Sequence, residues 1–92
     1  MANPSNEVLK LDSFGNVLLK AKPYDLLTIF SICLSDDKTQ LLLVGFDPDI
    51  KGIMLVLSTN TMTTIIFRKY SGYGKLYGCL SSGGAWYIVG YE

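Results

Sequence analysis

SICLSDDKTQLLLVGF, Ser31 to Phe46, is written a second time near the end of the chain as YGCLSSGGAWYIVGY, Tyr77 to Tyr91. Cys33, Leu34 and Ser35 return as Cys79, Leu80 and Ser81, with 79 − 33 = 46. Beyond the polar turn, Val44 and Gly45 return as Val89 and Gly90, with 89 − 44 = 45, so the second turn is one residue shorter. Each copy is an apolar strand, a short polar turn and a second strand that closes on Val-Gly-aromatic. Self-similarity at such a period is the mark of a repeat architecture.

The flanking sequence repeats as well. EVLKLD and IMLVLS match at Leu9 and Leu55 and at Leu11 and Leu57, again 46 apart, and TTIIFRK answers VLLKAK. In chain order the strands predicted are Val8–Asp12, Val17–Lys22, Leu27–Leu34, Gln40–Phe46, Ile53–Ser58, Thr63–Lys69, Lys75–Leu80 and Trp86–Tyr91. They are rich in β-branched and aromatic residues and carry no helical stripe. Ser13-Phe14-Gly15-Asn16, Ser35 to Thr39, Asp47 to Gly52 and Tyr70 to Gly74 have the Gly, Pro, Asn and Asp of turns. Residues 1–6 read as a flexible lead, and 7–92 as a single two-repeat β domain.

With 92 residues there is room for one small domain, which buries a modest share of its surface. Yet 49% of the residues are hydrophobic and 17% charged, and mean hydropathy is +0.30. So much apolar matter in so short a chain predicts burial against another subunit. Zero net charge gives no electrostatic basis for binding nucleic acid or an anionic membrane surface. No apolar run approaches the ~20 residues of a membrane helix, and MANPSNEV lacks the regions of a signal peptide. The expectation is a soluble, cytoplasmic protein. Cys33 and Cys79 read as small buried apolar side chains at equivalent places in neighbouring units, rather than as a disulfide or reactive thiol.

One period resembles a blade of a β-propeller, as in WD40 and quinoprotein-type repeats. The matching features are Ser35-Asp36-Asp37, then Leu42-Leu43-Val44-Gly45, then Leu11-Asp12 with Gly15-Asn16-Val17-Leu18. The second copy has Ser81-Ser82-Gly83-Gly84, Ile88-Val89-Gly90 and Leu57-Ser58 with Asn60. The Gly-His and Trp-Asp signatures are absent, and Leu19 stands where quinoprotein repeats carry Trp, so the resemblance is one of architecture. It implies two four-stranded repeats phased as half a blade (7–22), a complete blade (27–68) and a second half (75–91). Half-sheets expose unpaired edges. Copies joined head to tail would complete them and close a ring of six or eight blades, a trimer first and a tetramer next. A self-contained β-sandwich or small barrel is the alternative fold. The initial Met makes a whole chain the expectation over a piece of a longer propeller.

The chain has no histidine, which removes Ser-His-Asp and Cys-His catalysis and most zinc sites. Asp36-Asp37 and Asp47/Asp49 read as solvated turn formers, short of the ligand count of a calcium loop. The glycine pairs read as turn residues, because no helix follows to make a phosphate cradle. No catalytic residue, metal or cofactor is expected. On the blade reading the loops of one rim carry Tyr24, Asp25, Asp47, Asp49, Lys51, Tyr70 and Tyr73, with Lys75 beside them. Tyrosines beside carboxylates suit a protein or carbohydrate ligand, with a ring to stack and acceptors for hydroxyls. The same tyrosines could instead pack blade edges. The function expected is a non-catalytic oligomeric propeller acting as a binding or scaffold module through that rim. A lectin-like propeller is the alternative, and an enzyme remnant of quinoprotein type the least supported.

Overall fold

The computed structural model describes residues 7–22, 27–70 and 72–90. The chain is all-β: β1 (Val8–Leu11), β2 (Val17–Ala21), β3 (Thr28–Leu34), β4 (Gln40–Phe46), β5 (Gly52–Ser58), β6 (Thr64–Tyr70), β7 (Leu76–Ser82) and β8 (Ala85–Gly90). These are the eight strands expected, with ends shifted by a residue or two. Among the described residues every pairing is an antiparallel hairpin between consecutive strands, giving a central four-stranded sheet β3-β4-β5-β6 and two-stranded sheets β1-β2 and β7-β8. Among the described residues the strands close neither a barrel nor a ring.

β4 and β5 sit at the centre of the molecule, and their sequences say why. QLLLVGF and GIMLVLS are apolar at consecutive positions, the pattern of a strand with both faces covered. Among the described residues, seven of the eight largest fully buried side chains lie on them: Leu42, Leu43, Val44, Ile53, Leu55, Val56 and Leu57. Successive side chains alternate across the sheet. One face presents Leu43, Leu55 and Leu57 to Val8 and Ala21 of the β1-β2 sheet, with Met62 closing the cluster. The other presents Leu42, Val44, Met54 and Val56 to Leu76, Cys79, Trp86 and Ile88 of the β7-β8 sheet. The two small sheets therefore lie on opposite faces of the central one.

The register corrects one expectation. An extra residue bulges from β3 between Ile29 and Ser31 and from β7 between Leu76 and Gly78, so Phe30 corresponds to Tyr77. Along these strands the structural spacing is 47, not the 46 of the Cys-Leu-Ser match. Cys79, opposite Ile88, thus corresponds to Ile32, opposite Leu43, and Cys33 corresponds to Leu80. A slip of one residue exchanges the faces of a strand. The cysteines do not occupy equivalent places; they meet across the interface between the central sheet and β7-β8. The shift is absorbed at the second turn, where Gly83 and Gly84 both have positive φ, 60° and 79°. That is the geometry of a two-residue hairpin turn, and it draws Ser81 and Ser82 into the ladder.

The paired Val-Gly ends have a steric cause. A Cβ on Gly45 would overlap the carbonyl of Thr28, and one on Gly90 would stand 2.5 Å from Leu76 Cδ2 and 2.9 Å from the Lys75 carbonyl. At both places the start of the inner strand presses on the end of its partner.

β3, unlike β4 and β5, is covered on one side alone. Its exposure alternates regularly along TIFSICL, yet the exposed positions include Phe30, Ile32 and Leu34. The same mismatch recurs at Leu9 and Leu11 on β1, at Leu80 on β7 and at Tyr87 and Val89 on β8, all 42% exposed or more together with those of β3. These strands are composed for two covered faces and have one.

Candidate functional site

Two loops meet at one end of the central sheet. The β4–β5 loop runs from Asp47 to Lys51, and its first residue organises it. Asp47 Oδ1 accepts from the N–H groups of Asp49 (3.0 Å) and Lys51 (2.9 Å), while Lys69 Nζ binds Oδ2 at 2.8 Å. The side chain is 3% exposed. Burial pushes the carboxyl pKa up, but the Lys69 ammonium and the two amides outweigh it and hold it below its ordinary value. Asp47 is committed to shaping the loop.

The turn β1–β2 repeats this arrangement. Asp12 Oδ1 accepts from Phe14 and Asn16, both at 2.9 Å, two and four residues on, as Asp47 does. In each loop the third residue after the aspartate lies in the left-handed region: Gly15 at φ 92° and Ile50 at φ 60°. Glycine takes that conformation freely, and a β-branched residue does not. Ile50 is also 53% exposed, so the rim displays an apolar side chain on a strained backbone.

The β6–β7 loop approaches from beside it, with Gly52 N donating to the Tyr73 carbonyl at 2.9 Å. The Tyr70 and Tyr73 rings meet edge to face, centroids 6.4 Å apart. Tyr70 is half-buried and its hydroxyl reaches Met54 Sδ at 3.7 Å; Tyr73 is exposed. With Leu76, Ile88 and Gly90 the two tyrosines wall a cavity of about 220 Å³. Lys75 Nζ stands 5.0 Å from the centroid of Phe46, and the Phe30 ring bridges Phe46 and Tyr77.

Of the residues predicted for the site, the fold brings Asp47, Asp49, Lys51, Tyr70 and Tyr73 to this rim. Asp49 and Tyr73 are exposed, Lys51 and Tyr70 partly so, and Asp47 is internal. Tyr24 and Asp25 lie outside the described residues. Two residues at this end lie outside the predicted set. Lys69 reads as a strand residue and is one, in β6, and its ion pair with Asp47 brings its ammonium to the loop. Ile50 was legible in principle, because it stands where the Asp12 turn has Gly15.

At the opposite end, Asp37 accepts from Ser35 Oγ, Thr39 Oγ1 and Thr39 N at 2.7, 2.7 and 3.0 Å. Asp36 links this turn to that of β7-β8, accepting from Ser81 Oγ (3.3 Å) and Gly84 N (3.2 Å). No group of three metal-ligating residues forms among the described residues. Burial first, then the neighbouring Cys79 thiol, pushes the Cys33 thiol up to about 12. A second concavity, about 500 Å³, opens between β1 and the bare face of β3, against Ile32, Leu34 and Leu41. Comparison of the chain with protein-family models, with curated proteins and with solved structures finds no match.

Proposed function

We propose that this protein is a non-catalytic, cytoplasmic binding or scaffold module, built as a head-to-tail ring of propeller-type sheets and working through the loops of one rim. The trimer, with six sheets, is the preferred ring, and the tetramer the next. The observation that carries the reading is the division of the strands. A complete four-stranded meander stands between two half-sheets on its opposite faces, and the half-sheets and β3 are apolar on faces that a single copy leaves bare. A β8 edge and a β1 edge from neighbouring copies supply the two halves of one further sheet.

The rim supports the functional part. Backbone strain in ordinary residues gathers where a loop contacts a ligand, and Ile50 is both strained and exposed beside Asp49, Lys51 and Tyr73. Repetition of that surface around a ring multiplies weak contacts into avidity. Tyr73, 54% exposed at the mouth of the cavity, has the open ring that a carbohydrate would stack on. Native mass spectrometry at micromolar concentration tests the assembly: three or four chains support it, and a monodisperse monomer overturns it. A glycan array compared between the native protein and Tyr73→Ala tests the ligand class. Signal lost in the variant assigns sugar binding to the rim; no signal in either leaves protein scaffolding as the function.

A further inference from the structure

We propose that β8 of one copy pairs antiparallel with β1 of a second copy in one defined register: Trp86 opposite Leu11, Ile88 opposite Leu9, Val89 opposite Val8 and Gly90 opposite Glu7. This rests on the ring reading above and goes further, because it names the atoms that join the copies. The template lies inside the chain. β4 and β5 pair as Leu41 with Leu57, Leu43 with Leu55, Val44 with Met54 and Gly45 with Ile53. β8 corresponds to β4 at a spacing of 45, fixed by Leu43 to Ile88 and Gly45 to Gly90, which hold matching places opposite β3 and β7. β1 corresponds to β5 at 46, since Leu11–Val17 and Leu57–Thr64 are the equivalent pairs beside equivalent bulges. Carrying the β4–β5 ladder across gives the register stated.

Side-chain parity checks it independently. Residues directly opposite share a face. Trp86 and Ile88 point at their own central sheet, so Leu11 and Leu9 of the second copy, now exposed, would be turned to that sheet as well. Leu9 would then lie beside the cavity walled by Tyr70, Tyr73 and Ile88. Tyr87 and Val89 point away, 57% and 66% exposed, opposite Lys10 and Val8 of the second copy, which face that copy's own central sheet. With Leu80 they would enter the concavity of about 500 Å³ over Ile32, Leu34 and Leu41. A slip of one residue would turn Tyr87 and Val89 against the wrong sheet.

The occupant is therefore a second copy of this chain, because the joint continues the contact that β7-β8 already makes on β3-β4 within one copy.

Disulfide trapping tests the register. In a Cys33→Ala, Cys79→Ala background, Val8→Cys and Val89→Cys are placed in separate copies, mixed and oxidised; Lys10→Cys with Val89→Cys is the control, on the same face and two residues off. The first pair should cross-link at least about tenfold more than the second. In the native protein, amide exchange at β1 and β8 should be slowed at high concentration and quickened by dilution. Cross-linking of the control pair, or of neither pair, in a protein that still assembles overturns the register and leaves the ring. A monomer in native mass spectrometry overturns both. Assembly in which β1 and β8 exchange as fast as in a monomer places the joint elsewhere and also overturns the proposal.

Discussion

Ile50 and Gly15 occupy the same place in two turns of one design, and the difference between them can be measured. Forcing a residue with a Cβ into the left-handed region costs roughly 1–2 kcal/mol. Ile50→Gly should therefore raise the unfolding free energy by about 1 kcal/mol, somewhat less than the strain because glycine also gains freedom in the unfolded chain. The expected signature is a higher denaturation midpoint together with weaker rim binding. Gly45→Ala should act the other way, costing about 3 kcal/mol, since the added methyl overlaps the Thr28 carbonyl and a backbone atom cannot rotate aside. Gly90→Ala meets first the end of a leucine side chain and should cost less.

Asp37 carries an acid dependence. The Thr39 hydroxyl and amide, with the Ser35 hydroxyl, hold its carboxyl at about 2 against an ordinary 3.8. The folded value lies below the unfolded one, so its contribution is complete above the unfolded pKa and is lost as pH falls through about 4 towards 2. Asp12 and Asp47 are lowered too and add in the same direction. The protein should lose thermal stability over that window, and Asp37→Asn should flatten the loss in a pH series of melting curves.

At the scale of strands, the sequence was legible wherever a strand keeps one company on each face. β4 and β5 announce themselves as continuous apolar runs, and the β1–β2 and β7–β8 turns carry glycine where the backbone turns left-handed. What misled was literal similarity. Cys-Leu-Ser occurs twice, and identity of letters suggested identity of place, whereas the Phe30 and Tyr77 bulges set the true alignment one residue away. A bulge has no sequence mark as clear as a turn glycine. For the same reason the contact between Cys33 and Cys79 could not be read. It has a chemical consequence: the native Cys33 thiol stays protonated at neutral pH. Alkylation by iodoacetamide at about pH 8 should be at least tenfold slower at Cys33 in the native protein than in urea, measured by peptide mass. In the loops that meet at one end of the central sheet, Asp49 and Tyr73 are exposed as their residue types suggest. Asp47 is internal, because one sequence does not distinguish a displayed carboxylate from one turned inward to Lys69.

For the whole molecule, two leucines would separate folding from the proposed assembly. Leu43 is fully buried between the central sheet and β1-β2, and Leu43→Ala should cost about 2–5 kcal/mol at any concentration. Leu80 is 61% exposed. Leu80→Ala should leave the stability of a diluted monomer nearly unchanged while shifting the subunit equilibrium towards single chains, read by sedimentation across a concentration series.

The two half-sheets lie on opposite faces of the central sheet, and the proposed joint would give each copy a direction, with a β8 edge that receives and a β1 edge that inserts. A copy whose receiving edge is ruined, as by Val89→Pro, can still insert into a sound neighbour and then offers nothing to the next. A small admixture of such chains would leave many circles unfinished, so a lesion in a minority of molecules would act as a dominant poison, with harm well beyond its share of the population.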